Sequence, residues 1–300
     1  MNPQSIKNKA TEPKEMETKE AWTDSKRTTR MIEEMKVVAL PPTTFRMTKQ
    51  VTHDMYIKTM SSNLWKRFRD GVCAIPGIDV AHFNVRDIFP FGSRPGFMMV
   101  EASIADPKNP KGRYPGACFV RDPAGCTLVV ITVKYSDGRM PARKTILTDQ
   151  VRVGALGRML EIPAGIKDEE DADLVITATR ELGEEATIHA KPADVINLGT
   201  YHSSPGAVYE VIGLTAIELT MTDVELAEFN GLVTARANEK DGEEIRLVVS
   251  DLNDQVVTES MDPKLGMAWH RYKAHQLKLA KQGNVKAIQF HMNYLIGIGL

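Results

Sequence analysis

The chain has 300 residues and a formal net charge of −1, with 38 Lys and Arg against 39 Asp and Glu. That length holds two modest domains, or one domain with an arm, and the charge balance gives no global field to draw in nucleic acid or an anionic membrane surface. No apolar run approaches the ~20 residues that cross a bilayer, and three cysteines without metal-ligand spacing or a secretory signal point to packed thiols in a reducing compartment.

Residues 1–36 mix charges of both signs and contain few large apolar side chains, so they bury little surface and are expected to be disordered, a tail that runs to about residue 40. Glu12, Glu15, Glu17 and Glu20 argue against a transit peptide, which is poor in acids. Leu64, Trp65 and Phe68 then recur at helical spacing and predict a helix within residues 48–72. The stretch from Phe83 to Asp106 alternates and is broken by Pro90, Gly92, Pro95 and Gly96, which predicts short antiparallel strands joined by tight turns. Further strands rich in Val, Ile and Thr are expected at "ACFVRD", "CTLVVITVKYSDG" and "KTILTDQVRVG". Leu174, Ala178 and Leu182 recur every four residues, with Val175 flanking, and mark an amphipathic helix. Strands follow near "VINLGTYH", "YEVIGLTAIEL" and "IRLVVSD", the last preceded by a polar loop from Thr234 to Glu244. A helix over residues 264–281 and a final apolar run complete the chain. Strands mixed with a few helices favour a mixed-sheet α/β (α+β) fold over a doubly wound one.

The helix beginning at Leu174 carries an unusual charge pattern. Glu181 and Glu185 stack one turn apart, with Glu184 beside them. Like charges at i, i+4 cost roughly 0.2–0.5 kcal/mol per pair, and acids sit poorly near a helix C-terminus. Arg180 reaches Glu184 at i+4, but one arginine cannot neutralise three acids. A solvated acidic face is one explanation. The other is a hard dication such as Mg²⁺, which takes carboxylate and carbonyl oxygens. The Pro163-Ala164-Gly165 turn ahead of the helix offers such a carbonyl, and Gly165 permits close backbone approach.

In this arrangement the residues resemble a Nudix box, G-x5-E-x7-R-E-U-x-E-E-x-G-U, through Gly165, Arg180, Glu181, Leu182, Glu184, Glu185 and Ile188. The preceding "LEIPAG" resembles the ADP-ribose and nucleotide-sugar pyrophosphatase branch. With "SSNLWKRFRDG", "RPGFMMVEASIAD", "PGACFVRDPA" and the later "SPG", the likeness to plant-type ADP-sugar or UDP-sugar diphosphatases runs from about Val51 to Tyr272. There are departures. The interval from Gly165 to Arg180 is one residue longer than the pattern, an extension the plant-type enzymes share. The isolated Glu of the pattern falls on Asp171 counted from Gly165 and on Ala172 counted from Arg180, which affects loop anchoring more than chemistry. Thr187 replaces the final Gly, so the turn after Ala186 is expected to differ.

The resemblance implies a Nudix fold, a mixed sheet between helices over residues 126–300, preceded by an antiparallel β subdomain over residues 41–125 that serves as a dimerisation arm. It implies hydrolysis of the pyrophosphate of a nucleoside diphosphate sugar (ADP-ribose, ADP-glucose, UDP-glucose or GDP-mannose type) with Mg²⁺, or Mn²⁺ in its place. The Ala164 carbonyl, Glu181 and Glu185 are the implied metal ligands, with Glu184 as a further ligand or as a residue orienting water; Gly165 and Arg180 are structural. The general base is expected in the late acidic loop, at Glu243 first, with Asp241 and Glu244 as alternatives; a solvated loop explains the same acids. Gln150 and Arg152 match a substrate-contacting strand, although an outward-facing strand arginine reads the same way. In the "HSSPGAVYE" loop Glu210 is a weaker candidate for metal or sugar, and His202, beside the loop, reads as structural. The implied protein is a cytoplasmic homodimer, with a plastid or mitochondrial location as the alternative, acting on a small molecule and not on a membrane or nucleic acid. A catalytically weak or inactive Nudix module that binds nucleotide or RNA within a complex is the competing expectation.

Overall fold

The computed structural model describes residues 43–45, 52–114, 116–235 and 244–295. The charged tail and residues 236–243 of the acidic loop lie outside the described residues.

The first half builds one sheet. A short strand β1 (Thr43–Phe45) precedes α1 (His53–Ser61) and α2 (Asn63–Cys73), which are followed by β2 (Asp79–Phe91), β3 (Arg94–Asp106), β4 (Asn109–Arg113) and β5 (Ala117–Arg121). The helix expected around Leu64 is in fact two. Ser62 ends the first, and its hydroxyl accepts from the Trp65 N–H at 3.1 Å to cap the second. The short strands expected from Phe83 to Asp106 are instead two long strands in one hairpin, paired from Asp79↔Ala105 to Phe91↔Arg94. Pro90 and Pro95 face each other at its tip, where a missing N–H costs least, and Gly92 makes the turn at φ 59°. Leu64, Trp65 and Phe68 of α2 bury against Phe83, Val85, Met98 and Val100 of the hairpin.

The second half builds the sheet that carries the site. Its strands are β6 (Ala124–Lys134), β7 (Ala142–Arg152), β8 (Gly157–Glu161) and β9 (Ala164–Ile166), then, after α3 (Leu174–Ala186), β10 (Ile196–His202), β11 (Val208–Tyr209) and β12 (Val211–Thr222). After α4 (Asp223–Ala227) come β13 (Val233–Ala235) and β14 (Glu244–Asp251), and then α5 (Asp254–Glu259), α6 (Pro263–Lys281) and α7 (Val285–Leu295). The order is β10-β12-β6-β7-β14-β13, with β12 and β6 parallel and the other neighbours antiparallel. β6 begins at Ala124, so the expected domain boundary between residues 125 and 126 falls inside a strand.

β6 is buried on both faces, as its continuous apolar run requires. Cys126, Leu128 and Val130 point to a core closed by Leu265, Trp269 and Tyr272 of α6 and Phe290 of α7. Val129, Ile131 and Val133 point the other way, to Leu182 and Ala186 of α3. The mixed sheet therefore lies between helices, as expected. All three thiols are unpaired, and Cys126 is buried, with its thiol pushed up by burial.

The sheet splits where the site forms. β6 pairs with β7 only from Ile131↔Lys144 to Val133↔Ala142. Beyond that, β7 takes β8 as its partner (Thr148↔Glu161) and β6 takes β9 (Ala124↔Ile166). Residues 157–166 thus fill the opening between two diverging strands. β11 leaves this half to pair with β5 in the first sheet, Val208↔Phe119, which ties the loop after β10 to the N-terminal half.

Candidate active site

The helix α3 is placed by a cap and by two glycines. Asp173 caps it, its carboxylate accepting from the N–H groups of Val175 at 2.9 Å and Ile176 at 3.0 Å. A Cβ on Gly125 of β6 would lie 2.6 Å from the Ala178 nitrogen, and one on Gly213 of β12 would lie 2.6 Å from the Leu174 Cβ. The helix therefore rests directly on the backbone of the two central parallel strands. Thr127 reinforces the contact by donating to the Ala178 carbonyl at 3.1 Å. The helix ends at Thr187 in the left-handed conformation, φ 56°, with its N–H donated to the Leu182 carbonyl. The turn is therefore of the type glycine would make, contrary to the expectation that it differs. A left-handed residue with a Cβ costs about 1–2 kcal/mol, partly offset by the entropy glycine loses. Thr187→Gly is expected to stabilise the fold by about 1 kcal/mol, a thermal midpoint about 2–4 °C higher by calorimetry.

Glu181 and Glu185 are each 1% exposed, and Glu184 remains largely in solvent. Two glutamates of a surface helix are thus folded inward, against β9. Glu185 Oε2 accepts from the Ala164 N–H at 2.9 Å, and Thr234 donates to the Glu185 carbonyl at 2.8 Å. Gly165 leaves room for Glu181: a Cβ there would lie 2.0 Å from the Glu181 carboxyl carbon. The box glycine is required by this approach, since its φ is not in the left-handed range.

Arg180 links the acids to the loop after β9. It donates to Glu181 and Glu184 at 2.9 Å each, to the Ile166 carbonyl at 2.9 Å and to Asp171 at 3.1 Å. Burial disfavours its charge, but Asp171, Glu181, Asp168 and Glu184 together raise its pKa. Asp171 also accepts from the Asp168 N–H at 3.1 Å. It performs the loop anchoring that the isolated Glu of the pattern would supply, one residue away from the count made from Arg180. Burial raises the Asp171 pKa, but the Arg180 and Asp168 bonds outweigh it and leave the carboxyl below its ordinary 3.8. A depressed pKa stabilises the fold above the unfolded value, and that stabilisation is lost as pH falls through the folded value. In urea unfolding between pH 6 and 2.5, Asp171→Asn is expected to remove part of the acid-side loss that the unmodified chain shows below pH 4.

A second charged group supports the loop from β8 to β9. Glu161 accepts twice from Arg152, at 2.8 Å and 2.6 Å, and lies 3.3 Å from the Lys264 ammonium. Burial opposes ionisation of Glu161, but Arg152 and Lys264 hold it below the usual carboxylate range. Lys264 also pairs with Asp262 at 3.0 Å, and Asp262 accepts from the Ile162 N–H at 3.0 Å. Arg152, expected on substrate, is thus held by Glu161, and Gln150 is buried with its amide donating to Thr148 at 3.1 Å. Glu210 is pinned by Ser203 at 2.6 Å and Arg121 at 3.0 Å, and His202 is exposed. Asp241 and Glu243 lie outside the described residues. Glu244 opens β14 opposite Ala235, and its side chain lies outside them too. Glu161, Asp262 and Lys264 were not singled out from the sequence. For Asp262 and Lys264 the readable signal was "MDPK", an N-cap followed by Pro at the first helical position.

The donors are all hard oxygens, with space beside Glu181 that only a glycine leaves, so the residues suit a hard dication. Among the described residues, no group of three or more His, Cys, Asp or Glu is gathered tightly enough to hold an ion by itself. A hollow of about 490 Å³ opens elsewhere, beyond the end of α3, between His189, Asp194 and Glu218. It contains none of the α3 glutamates, and the chemistry of the buried carboxylates outweighs its size as a guide to the site. No described helix is long and apolar enough to cross a membrane.

By sequence the chain is similar to the Nudix hydrolases, which agrees with the resemblance carried by Gly165 and the α3 acids. The relative is Nudix hydrolase 14, chloroplastic, of Arabidopsis thaliana, 35% identical over 141 residues. Those residues are 47% of this chain and 43% of the relative, so the match spans less than half of either protein. A solved structure titled "Crystal structure of ADP compounds hydrolase" superposes with a TM-score of 0.44 at 16% identity, covering 71% of this chain and 99% of that one, a likeness too distant to bear on function. No protein-family model matches the chain.

Proposed function

We propose that the chain hydrolyses the pyrophosphate of a nucleoside diphosphate linked to a second group, a nucleotide sugar of the ADP-ribose type, with Mg²⁺ as cofactor. The observation that carries the reading is the inward pair, Glu181 and Glu185, brought against β9 where Gly165 leaves space. Two acids buried one turn apart present hard carboxylate oxygens to the same side, the donor set that a dication takes. Arg180 spreads its charge over Asp171, Asp168, Glu181 and Glu184, so it anchors the acids together with the loop after β9.

Glu181, Glu185 and the Ala164 carbonyl would hold the ion, with water and substrate oxygens completing the shell that Mg²⁺ prefers. When bound, the ion lowers the pKa of a water and neutralises charge building on phosphorus. The chain's own residues set the geometry. Arg180 keeps the 166–171 loop against the helix, the Ala164 N–H aims one oxygen of Glu185, and exposed Glu184 stands where it can orient water. The general base is proposed in the late acidic loop, at Glu243, Asp241 or Glu244.

The name of the Arabidopsis relative supports the reaction class. The test is purified protein with Mg²⁺ and a panel of ADP-ribose, ADP-glucose, UDP-glucose and GDP-mannose, with triphosphates and capped RNA added. Release of a nucleoside monophosphate and a sugar phosphate is expected. No turnover of any compound, with no Mg²⁺-induced rise in thermal midpoint, defeats the proposal.

A further inference from the structure

We propose that Asp262, at the start of α6 and on the opposite side of the sheet from α3, is a positioning residue for the candidate ion ligands, acting through the backbone of Ile162 to Ala164. The inference rests on the reading of Glu181, Glu185 and the Ala164 carbonyl as an ion site.

The three-residue segment that ends in Ala164 is held at every position. The Ile162 N–H donates to Asp262 Oδ2 at 3.0 Å. The Pro163 carbonyl accepts from the Thr127 N–H at 3.0 Å, and the Pro163 ring fixes its own φ. The Ala164 N–H donates to Glu185 at 2.9 Å. The Ile162 side chain is fully buried in the core with Leu265 and Ala268 of α6. The direction of the Ala164 carbonyl, and the aim of the Glu185 carboxylate that its N–H holds, are therefore set from both faces of the sheet.

Asp262 does more than end a helix. Capping needs one oxygen, and Oδ1 supplies it to the Lys264 N–H at 2.9 Å. The second oxygen serves Ile162, and the residue is 2% exposed. Lys264 bridges Asp262 to Glu161 at 3.0 Å and 3.3 Å, and Arg152 closes the chain on Glu161. Asp262, Glu161 and Lys264 at this depth, with Arg152 reaching in from the surface, bear a desolvation penalty that well-packed apolar side chains would avoid. Stability alone gives no reason for the arrangement. Fixing one peptide segment to a few tenths of an ångström does, because groups that orient metal ligands typically change metal affinity 10–100-fold when removed.

Asp262→Ser separates the two roles. Serine is an equally good N-cap but is too short to offer a second oxygen to Ile162. Full-length protein without substrate is titrated with Mn²⁺ and free ion is followed by its paramagnetic resonance signal; the folded state is checked by thermal midpoint. Affinity is expected to fall about tenfold or more. In parallel assays kcat should recover at saturating metal while the KM for ADP-ribose is unchanged. If Asp262→Ser does not fold, Asp262→Asn, with one carbonyl oxygen for two donors, carries the same expectation. A folded variant whose Mn²⁺ affinity stays within twofold of the unmodified chain overturns the inference and leaves the proposed function standing. An unmodified chain that binds no Mn²⁺ overturns both.

Discussion

Glu185→Gln is expected to lower turnover about 1000-fold while the chain still folds. Glutamine matches glutamate in size, and its carbonyl oxygen can still accept the Ala164 N–H that Glu185 holds at 2.9 Å. What it lacks is the charge. Glu185 is 1% exposed, so solvent cannot replace that charge in balancing an ion. Removing one of two like charges at i, i+4 relieves a helix by roughly 0.2–0.5 kcal/mol, and the thermal midpoint without metal should change little. Binding at 100 times Kd stabilises a protein by about 2.7 kcal/mol. The unmodified chain should therefore gain several degrees on adding saturating Mg²⁺, and the variant should gain almost none. Initial rates and melting curves with and without Mg²⁺ measure both effects. Undiminished hydrolysis by the variant would falsify the assignment of the ion to α3.

Gly165→Ala is expected to lose at least about 100-fold in turnover for a stability cost of only about 1–2 kcal/mol. The new Cβ would sit 2.0 Å from the Glu181 carboxyl carbon and Oε1. That group is the end of a flexible side chain, so it can swing aside, breaking its 2.9 Å bond to Arg180 and leaving the position the ion needs. The fold survives because the obstacle yields. Gly125→Ala makes the contrast. Its Cβ would meet the Ala178 nitrogen at 2.6 Å and the Leu174 carbonyl at 2.7 Å, backbone atoms that cannot turn away. There the helix itself must move, and stability should fall by about 3 kcal/mol. Urea unfolding beside initial rates distinguishes a displaced carboxylate from a displaced helix; equal losses of stability in the two variants would refute the distinction.

Local chemistry is legible in the order of residues. The period of Leu174, Ala178 and Leu182 placed α3, and the spacing of Arg180 and Glu184 gave a pair found at 2.9 Å. The valine- and isoleucine-rich runs gave β5, β6 and β7. Local chemistry also misled where a residue has two uses. Ser62 lies inside the stretch read for a single helix and proved to be a boundary between two. Pro90 and Pro95 looked like breaks and proved to close a hairpin tip, where neither missing N–H matters. Thr187 looked like a changed turn, but the Leu182 carbonyl still receives its N–H and holds the left-handed backbone.

By itself, then, the sequence determined which residues share a helix face, which strands are buried on both sides and where three acids crowd one turn, because these follow from 3.6- and 2-residue periods within one element. The tertiary structure decided which of those acids turn inward, that Gly125 and Gly213 let α3 lie on the sheet, that β6 and β7 diverge around residues 157–166, and that Asp262, about a hundred residues away in the chain, holds the Ile162 N–H. Those contacts depend on the register and crossing of separate elements. Many pairings compatible with the same local pattern exist, and only packing the whole chain at once selects among them.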